Sequence, residues 1–294
     1  MASFGDLKVA ATGLDVSATY TRSAVNESAQ SRFVTSSDGT RVAVYESGEG
    51  PVLALVYGAL MEQTGWARQA PPLQPGRRLL TYDRRGRGVS GDQPAYAVER
   101  EVDDLEAVLR SIDGPFDVFA HSSGALLALM AAERVTPRRM VLYEPPQAGI
   151  RDPQLTAELA GEIDALVKAG DRDAALRLFM RHGMTLSESE VERLRAGPRW
   201  AEQLGYVHTS WYDVTVTRTY AFDRAKLARL TMPVLLLVGG ESPSWMRRGV
   251  AEFAAALPNS RLAELPGQGH NAIFGAPEMV AREVNAFLAS NLDV

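Results

Sequence analysis

The sequence predicts an α/β protein: a doubly wound, mostly parallel sheet with a helical cap inserted into it. Three observations predict this. Short apolar runs alternate with helical patterns along most of the 294 residues, the signature of strands joined by crossover helices. One run, Phe116–His121, ends in Ala120-His121-Ser122-Ser123-Gly124 and passes at once into an Ala/Leu-rich helical pattern, Ala125–Arg134. The alternation breaks once, between about Pro146 and Leu230.

In chain order, residues 1–31 are rich in Ala, Ser and Thr without a steady period, and read either as a flexible arm or as a short element packed on the body. Ser31–Thr35 and Thr40–Ser47 alternate around Ser37-Asp38-Gly39, a hairpin pattern. Apolar runs follow at Pro51–Tyr57, Arg78–Tyr82, Phe116–His121, Arg139–Glu144, Pro233–Val238 and Arg261–Leu265. Ala97–Ile112, Ala125–Arg134, Arg247–Ala256 and Ala276–Leu292 carry helical spacing between and after them. From Pro146 to Leu230 only helical patterns appear: Gln154–Ala169, Arg172–His182, Glu188–Ala196 and Arg199–Val207. That stretch is too long for a loop and reads as a cap. The expected division is residues 32–145 and 231–294 as core, 146–230 as cap and 1–31 as the arm. The ligand site of such a sheet lies at the carboxyl ends of its strands.

Composition narrows the function. A formal net charge of −5 leaves no basic surplus for nucleic acid. There is no cysteine, which removes disulfides and thiolate chemistry. The four histidines, His121, His182, His208 and His270, lie far apart and offer no metal-binding pair, so neither a metal nor a cofactor is expected. No apolar run approaches the ~20 residues of a membrane span, and no secretory signal is visible, so the expected location is cytoplasmic.

The elbow at Ser122 carries the chemistry. A strand turning sharply into a helix forces strained angles on the apex residue and needs small neighbours two positions either side, here Ala120 and Gly124. The bland alternative is a βα turn in which Ser122 only caps the helix. A serine hydroxyl is a poor nucleophile until a base takes its proton. His270, in the Gly/Pro turn Leu265-Pro266-Gly267-Gln268-Gly269-His270 between the last run and the last helix, is placed to swing beside it. Ser123 N–H at the helix start and Ala59 N–H in Val56-Tyr57-Gly58-Ala59-Leu60 are the candidate oxyanion donors.

With these residues in view, the chain from about Ser31 to Leu292 resembles the α/β-hydrolase fold superfamily. The resemblance rests on the Ala120–Gly124 elbow, on Tyr57-Gly58-Ala59, and on Tyr82-Asp83-Arg84-Arg85-Gly86-Arg87-Gly88-Val89-Ser90, similar to the family's Asp-x-Arg-Gly-x-Gly-x-Ser loop. That loop is chiefly structural in relatives. The family usually carries its acid after the seventh strand, where this chain has Gly239-Gly240-Glu241-Ser242, a serine in the expected place and a glutamate one position early. A minority place it after the sixth strand, where Glu144 follows Arg139–Tyr143 directly. Glu144 is preferred and Glu241 kept as the alternative, because a charge closing an apolar strand needs a partner. The resemblance implies acyl transfer through an acyl-enzyme on Ser122, with His270 as base. Relatives that open epoxides or displace halide use a carboxylate where Ser122 stands.

The cap is rich in aromatics, Trp200, Tyr206, Trp211, Tyr212, Tyr220 and Phe222, most of which read as packing. His208 and Tyr212, on a stretch read as irregular, are the candidate substrate-binding residues. The expected substrate is a small or medium apolar ester, lactone or thioester. The alternatives are a lyase or cyclase using the same serine and histidine, or a ligand-binding protein with vestigial chemistry.

Overall fold

The computed structural model describes residues 30–66, 70–93, 95–147, 150 and 153–290. The expected arm therefore lies outside the described residues, except for Gln30 and Ser31, which begin the first strand. Eight strands form one sheet among the described residues: β1 (Gln30–Thr35), β2 (Arg41–Gly48), β3 (Val52–Val56), β4 (Arg78–Tyr82), β5 (Phe116–His121), β6 (Arg139–Tyr143), β7 (Val234–Gly239) and β8 (Ser260–Leu265). Their spatial order is β1-β2-β4-β3-β5-β6-β7-β8. β1 and β2 form the antiparallel hairpin, and β2 runs antiparallel to β4. All further pairings are parallel.

Helices fill the connections. The short α1 (Ala70–Leu73) precedes β4; α2 (Val98–Arg110) and α3 (Ser123–Ala132) flank β5. Between β6 and β7 come α4 (Pro153–Lys168), α5 (Arg172–Leu178), α6 (Glu188–Arg195), α7 (Arg199–Tyr206), α8 (Ser210–Thr219) and α9 (Arg224–Leu227). α10 (Ser244–Ala256), α11 (Ala272–Gly275) and α12 (Pro277–Ala289) complete the chain.

The central strands β3, β5, β6 and β7 are almost wholly buried because both sheet faces are covered there. Along β3, Val52, Ala54 and Val56 join one core with α2, α3 and α10, while Leu53, Leu55 and Tyr57 join a second with α1 and α12. β7 repeats this with Val234, Leu236 and Val238 against Leu235 and Leu237. A third apolar cluster lies within the β6–β7 helices, around Ile163, Leu176, Met180, Val191, Trp200 and Val207, and it takes in Leu60 from the turn after β3.

Two local readings differ from the sequence. Arg172–His182 is not one α-helix: α5 ends at Leu178 and a π turn covers Phe179–Gly183. Tyr212 stands in a regular helix rather than an irregular stretch, because Ser210–Thr219 is α8. Its β-branched and aromatic residues are indifferent helix formers, and packing against α4, α3 and α2 overrides that preference.

The loop after β4 is tied down by buried charge. Asp83 accepts from Gln63 N–H (2.9 Å), Val89 N–H (3.0 Å) and Tyr45 Oη (2.9 Å). Arg85 makes a two-pronged contact with Asp104, both distances 2.7 Å, with both side chains out of solvent. Removing Asp104 leaves the buried Arg85 charge with only the partly exposed Asp38 (3.1 Å) as an acidic partner among the described residues. Asp104→Ala is expected to cost about 3 kcal/mol of stability, read as a lower urea midpoint at unchanged slope.

Candidate active site

The ends of β3, β5, β6, β7 and β8 at the carboxyl edge of the sheet each contribute a piece of one site. Ser122 follows β5 with φ 57° and ψ −131°, a strained backbone that costs of order 1–3 kcal/mol. It persists because the surroundings fix it: Ser122 N–H donates to Tyr143 O (2.9 Å) and Ser122 O accepts from Ala125 N–H (2.9 Å). The elbow's small residue has a physical reason. A Cβ on Gly124 would lie 2.4 Å from Tyr57 O, so α3 can start only this close to β3 with glycine there.

His270 sits in the loop between β8 and α11, and its Nε2 lies 3.0 Å from Ser122 Oγ. The other ring nitrogen, Nδ1, lies 2.6 Å from Glu144 Oε2. An ionised carboxylate only accepts, so the imidazole carries its proton on Nδ1 and leaves Nε2 to accept from Ser122. The loop is held rather than free to swing. Tyr143 Oη donates to Gly269 O, and His121 Nε2 donates to His270 O (3.0 Å). Burial foremost, and the neighbouring His270 ring, push the His121 pKa well below the usual range, so it stays neutral.

Glu144 directly follows β6 with φ 48° and is fully buried. Its Oε1 accepts from Gly239 N–H (2.7 Å) and Ser242 Oγ (2.5 Å). Burial works against its charge, but His270, Ser242 and Gly239 outweigh it and hold the carboxyl below the ordinary glutamate value. Ser242, at the position where an acid was looked for, thus serves the acid from the neighbouring strand. Glu241 is exposed, with its amide donating to Gln268 O (2.8 Å); Glu144, not Glu241, is the carboxylate against His270.

A pH dependence follows from the lowered Glu144 pKa. The unfolded chain takes up this proton at a higher pH than the folded one, so the group's stabilisation is present above the ordinary glutamate range and lost on acidification. The difference in melting temperature between wild type and Glu144→Gln is expected to shrink from about pH 6 to about pH 3, measured by scanning calorimetry.

Gly58 and Ala59 follow β3. A Cβ on Gly58 would lie 2.8 Å from Ser122 Cβ and 3.3 Å from its Oγ, so glycine lets this turn approach the serine. Ser123 opens α3, one of its first-turn amides.

Tyr212 and His208 make their contacts elsewhere. Tyr212 Oη donates to Asp92 Oδ2 (2.8 Å) and its ring stacks on Tyr96 with centroids 3.9 Å apart. Both tyrosines line an open groove of about 360 Å³ with Trp211 and Asp164, and Ser122 is not part of that wall. His208 Nδ1 accepts from Arg172 Nη2 (3.3 Å), and burial with the Arg172 charge lowers its pKa. Of the other aromatics, Tyr220 and Phe222 pack on Phe253, and Trp200 Nε1 donates to Asp173 (2.9 Å). Among the described residues no group of three or more His, Asp or Glu side chains is arranged to hold a metal ion, and no helix is long and apolar enough to cross a membrane.

The alpha/beta hydrolase family model matches residues 56–283, well over half of the chain. The chain belongs to this family. An alpha/beta hydrolase structure from Sphaerobacter thermophilus is 38% identical, with a TM-score of 0.80 over 88% of this chain and 100% of that one. A Mycobacterium tuberculosis protein named probable oxidoreductase EphD is 26% identical over 87% of this chain and 49% of its own length. The chain therefore spans about half the length of the mycobacterial relatives it matches. A Bacillus subtilis protein named putative 2-succinyl-6-hydroxy-2,4-cyclohexadiene-1-carboxylate synthase is 25% identical over 87% of this chain and 98% of its own.

Sequence reasoning missed a buried cluster behind this site. Asp213 of α8 meets Arg84 (2.8 Å), Arg87 (2.6 Å) and Ser123 Oγ (2.6 Å). The only signal was an acid set between Tyr212 and Val214 in an otherwise uncharged helix face, and its partners lie 90 to 129 positions away.

Proposed function

We propose that the protein is a serine hydrolase that cleaves an ester, lactone or thioester bond of a small to medium apolar molecule. One observation carries this reading: Ser122, strained at the elbow, His270 and buried Glu144 form a continuous hydrogen-bonded chain. His270 Nε2 takes the Ser122 proton as Oγ attacks the carbonyl carbon, and the carbonyl π pair moves onto oxygen. The amides of Ala59 and Ser123 receive that oxyanion, a contact worth ~3 kcal/mol per donor. Glu144 holds the His270 tautomer and balances its charge while it is protonated. His270 returns the proton to the leaving oxygen or sulfur, and water then repeats the sequence on the acyl-enzyme.

The helices between β6 and β7, residues 146–230, act in this reading as a cap over the site, within a core of residues 32–145 and 231–294. Tyr212 and His208 stay candidate substrate-binding residues in this reading, Tyr212 on the wall of a groove that does not include Ser122. A cytoplasmic enzyme without cofactor or metal is the accompanying reading.

The test is turnover of p-nitrophenyl acetate, butyrate and octanoate, with a thioester and a lactone beside them. Hydrolysis of at least one, saturable and serine-dependent, is the expected result; none by well-folded protein contradicts the reading. The synthase name of the Bacillus relative favours one second reading, in which His270 acts as a base in a lyase or cyclisation step. Covalent labelling of Ser122 without turnover of any acyl substrate is its expected sign.

A further inference from the structure

We propose that Asp213 is a positioning residue that sets both oxyanion donors at once, working through Arg84, Arg87 and the Ser123 hydroxyl. The proposal rests on the serine hydrolase reading and adds a helix between β6 and β7 to its oxyanion machinery.

The Gly58 carbonyl accepts from two guanidinium groups, Arg84 Nη1 (3.1 Å) and Arg87 Nη1 (2.8 Å). In a trans peptide the C=O and the following N–H point in opposite directions. Fixing the Gly58 oxygen on one side therefore fixes the direction of Ala59 N–H on the other, in the turn whose Gly58 approaches Ser122. Two cationic donors on that oxygen also polarise the peptide and strengthen its N–H as a donor.

The arginines are aimed by Asp213. Its Oδ1 accepts from Arg84 Nη1 and its Oδ2 from Arg87 Nη2, while Glu101 holds Arg84 Nε (2.6 Å) and Thr209 holds Arg87 Nε (3.0 Å). Asp213 Oδ1 also accepts from Ser123 Oγ (2.6 Å), which pins the residue supplying the second donor at the start of α3. One carboxylate thus braces the Gly58–Ala59 peptide and the Ser123 residue together. Arg84, Arg87, Glu101 and Asp213 are all buried, where low local dielectric strengthens these contacts. Two cations and two anions leave the cluster formally neutral beside a site that must accept a developing negative charge.

The experiment compares wild type, Asp213→Asn and Arg87→Lys on a matched pair of activated esters, one with C=O and one with C=S at the reacting centre. Sulfur accepts hydrogen bonds weakly, so the thiono ester draws little on the oxyanion donors, whereas the triad serves both substrates alike. The expected result is a fall of kcat by about ten- to a hundredfold on the oxygen ester, with KM within twofold and the thiono rate within about threefold. Arg87→Lys keeps the charge but cannot bridge Gly58 and Asp213, and shows the same selective loss if Asp213→Asn fails to fold. An equal fall on both esters, or no fall on either in folded protein, overturns the proposal. Wild-type protein that turns over neither ester overturns the hydrolase reading itself, and the proposal with it.

Discussion

Ser122→Ala lowers kcat on an activated ester by about 10⁵- to 10⁶-fold, measured at enzyme concentrations high enough to see the residual rate. In the proposed mechanism Ser122, His270 and Glu144 act as a unit, so His270→Ala is expected to cause a comparable loss and the double variant little more. The size of the effect follows from the geometry. Ser122 Oγ lies 3.0 Å from an imidazole nitrogen left to accept, because the proton is held on the opposite nitrogen by Glu144. Alanine at the same φ of 57° suffers the same backbone strain as serine, so the melting temperature stays near wild type. A large kinetic loss with a small stability change separates this role from a structural cap on α3.

Glu144→Gln lowers kcat by about 10⁴-fold, while Glu241→Gln stays within twofold. Glutamine can keep its carbonyl on Gly239 N–H and Ser242 Oγ, which places its NH₂ group toward His270 Nδ1. That nitrogen must then accept, the ring proton moves to Nε2, and the imidazole presents a donor to Ser122 where a base is needed. The loss comes from a wrong tautomer more than from a broken fold. Steady-state kinetics on the two variants side by side reads it. A Glu241→Gln loss comparable with that of Glu144→Gln contradicts this geometry.

Most of the fold was legible in the sequence because its central strands are buried on both faces. A run such as Val234–Gly239 has no polar interruption to blur its ends, and every apolar run proposed from sequence corresponds to a strand with bounds shifted by about one residue. α8 was not legible, since Ser210–Thr219 owes its helix to packing rather than to its own residues. At the site, Ser122 and His270 stood out through their turns. Glu144 and Glu241 could be ranked but not separated from sequence, because the deciding contact depends on how the β6 and β8 ends converge. Ser242 was visible only as a missing acid; its hydroxyl on Glu144 is a three-dimensional fact. Asp213 lay beyond reach, since its value comes from two arginines that the sequence assigned to a structural loop. That loop is structural in the sense of holding backbone, and the backbone it holds is the turn beside Ser122.

The central claim is that the Ser122 hydroxyl is the activated nucleophile. The measurement that tests it most directly is incubation with a fluorophosphonate probe, followed by intact mass and fragment mapping that resolves Ser122 from Ser123. One adduct per chain on Ser122, absent from Ser122→Ala and much slowed in His270→Ala, is the predicted result. No adduct on folded protein, or an adduct on Ser123 that survives Ser122→Ala, contradicts it.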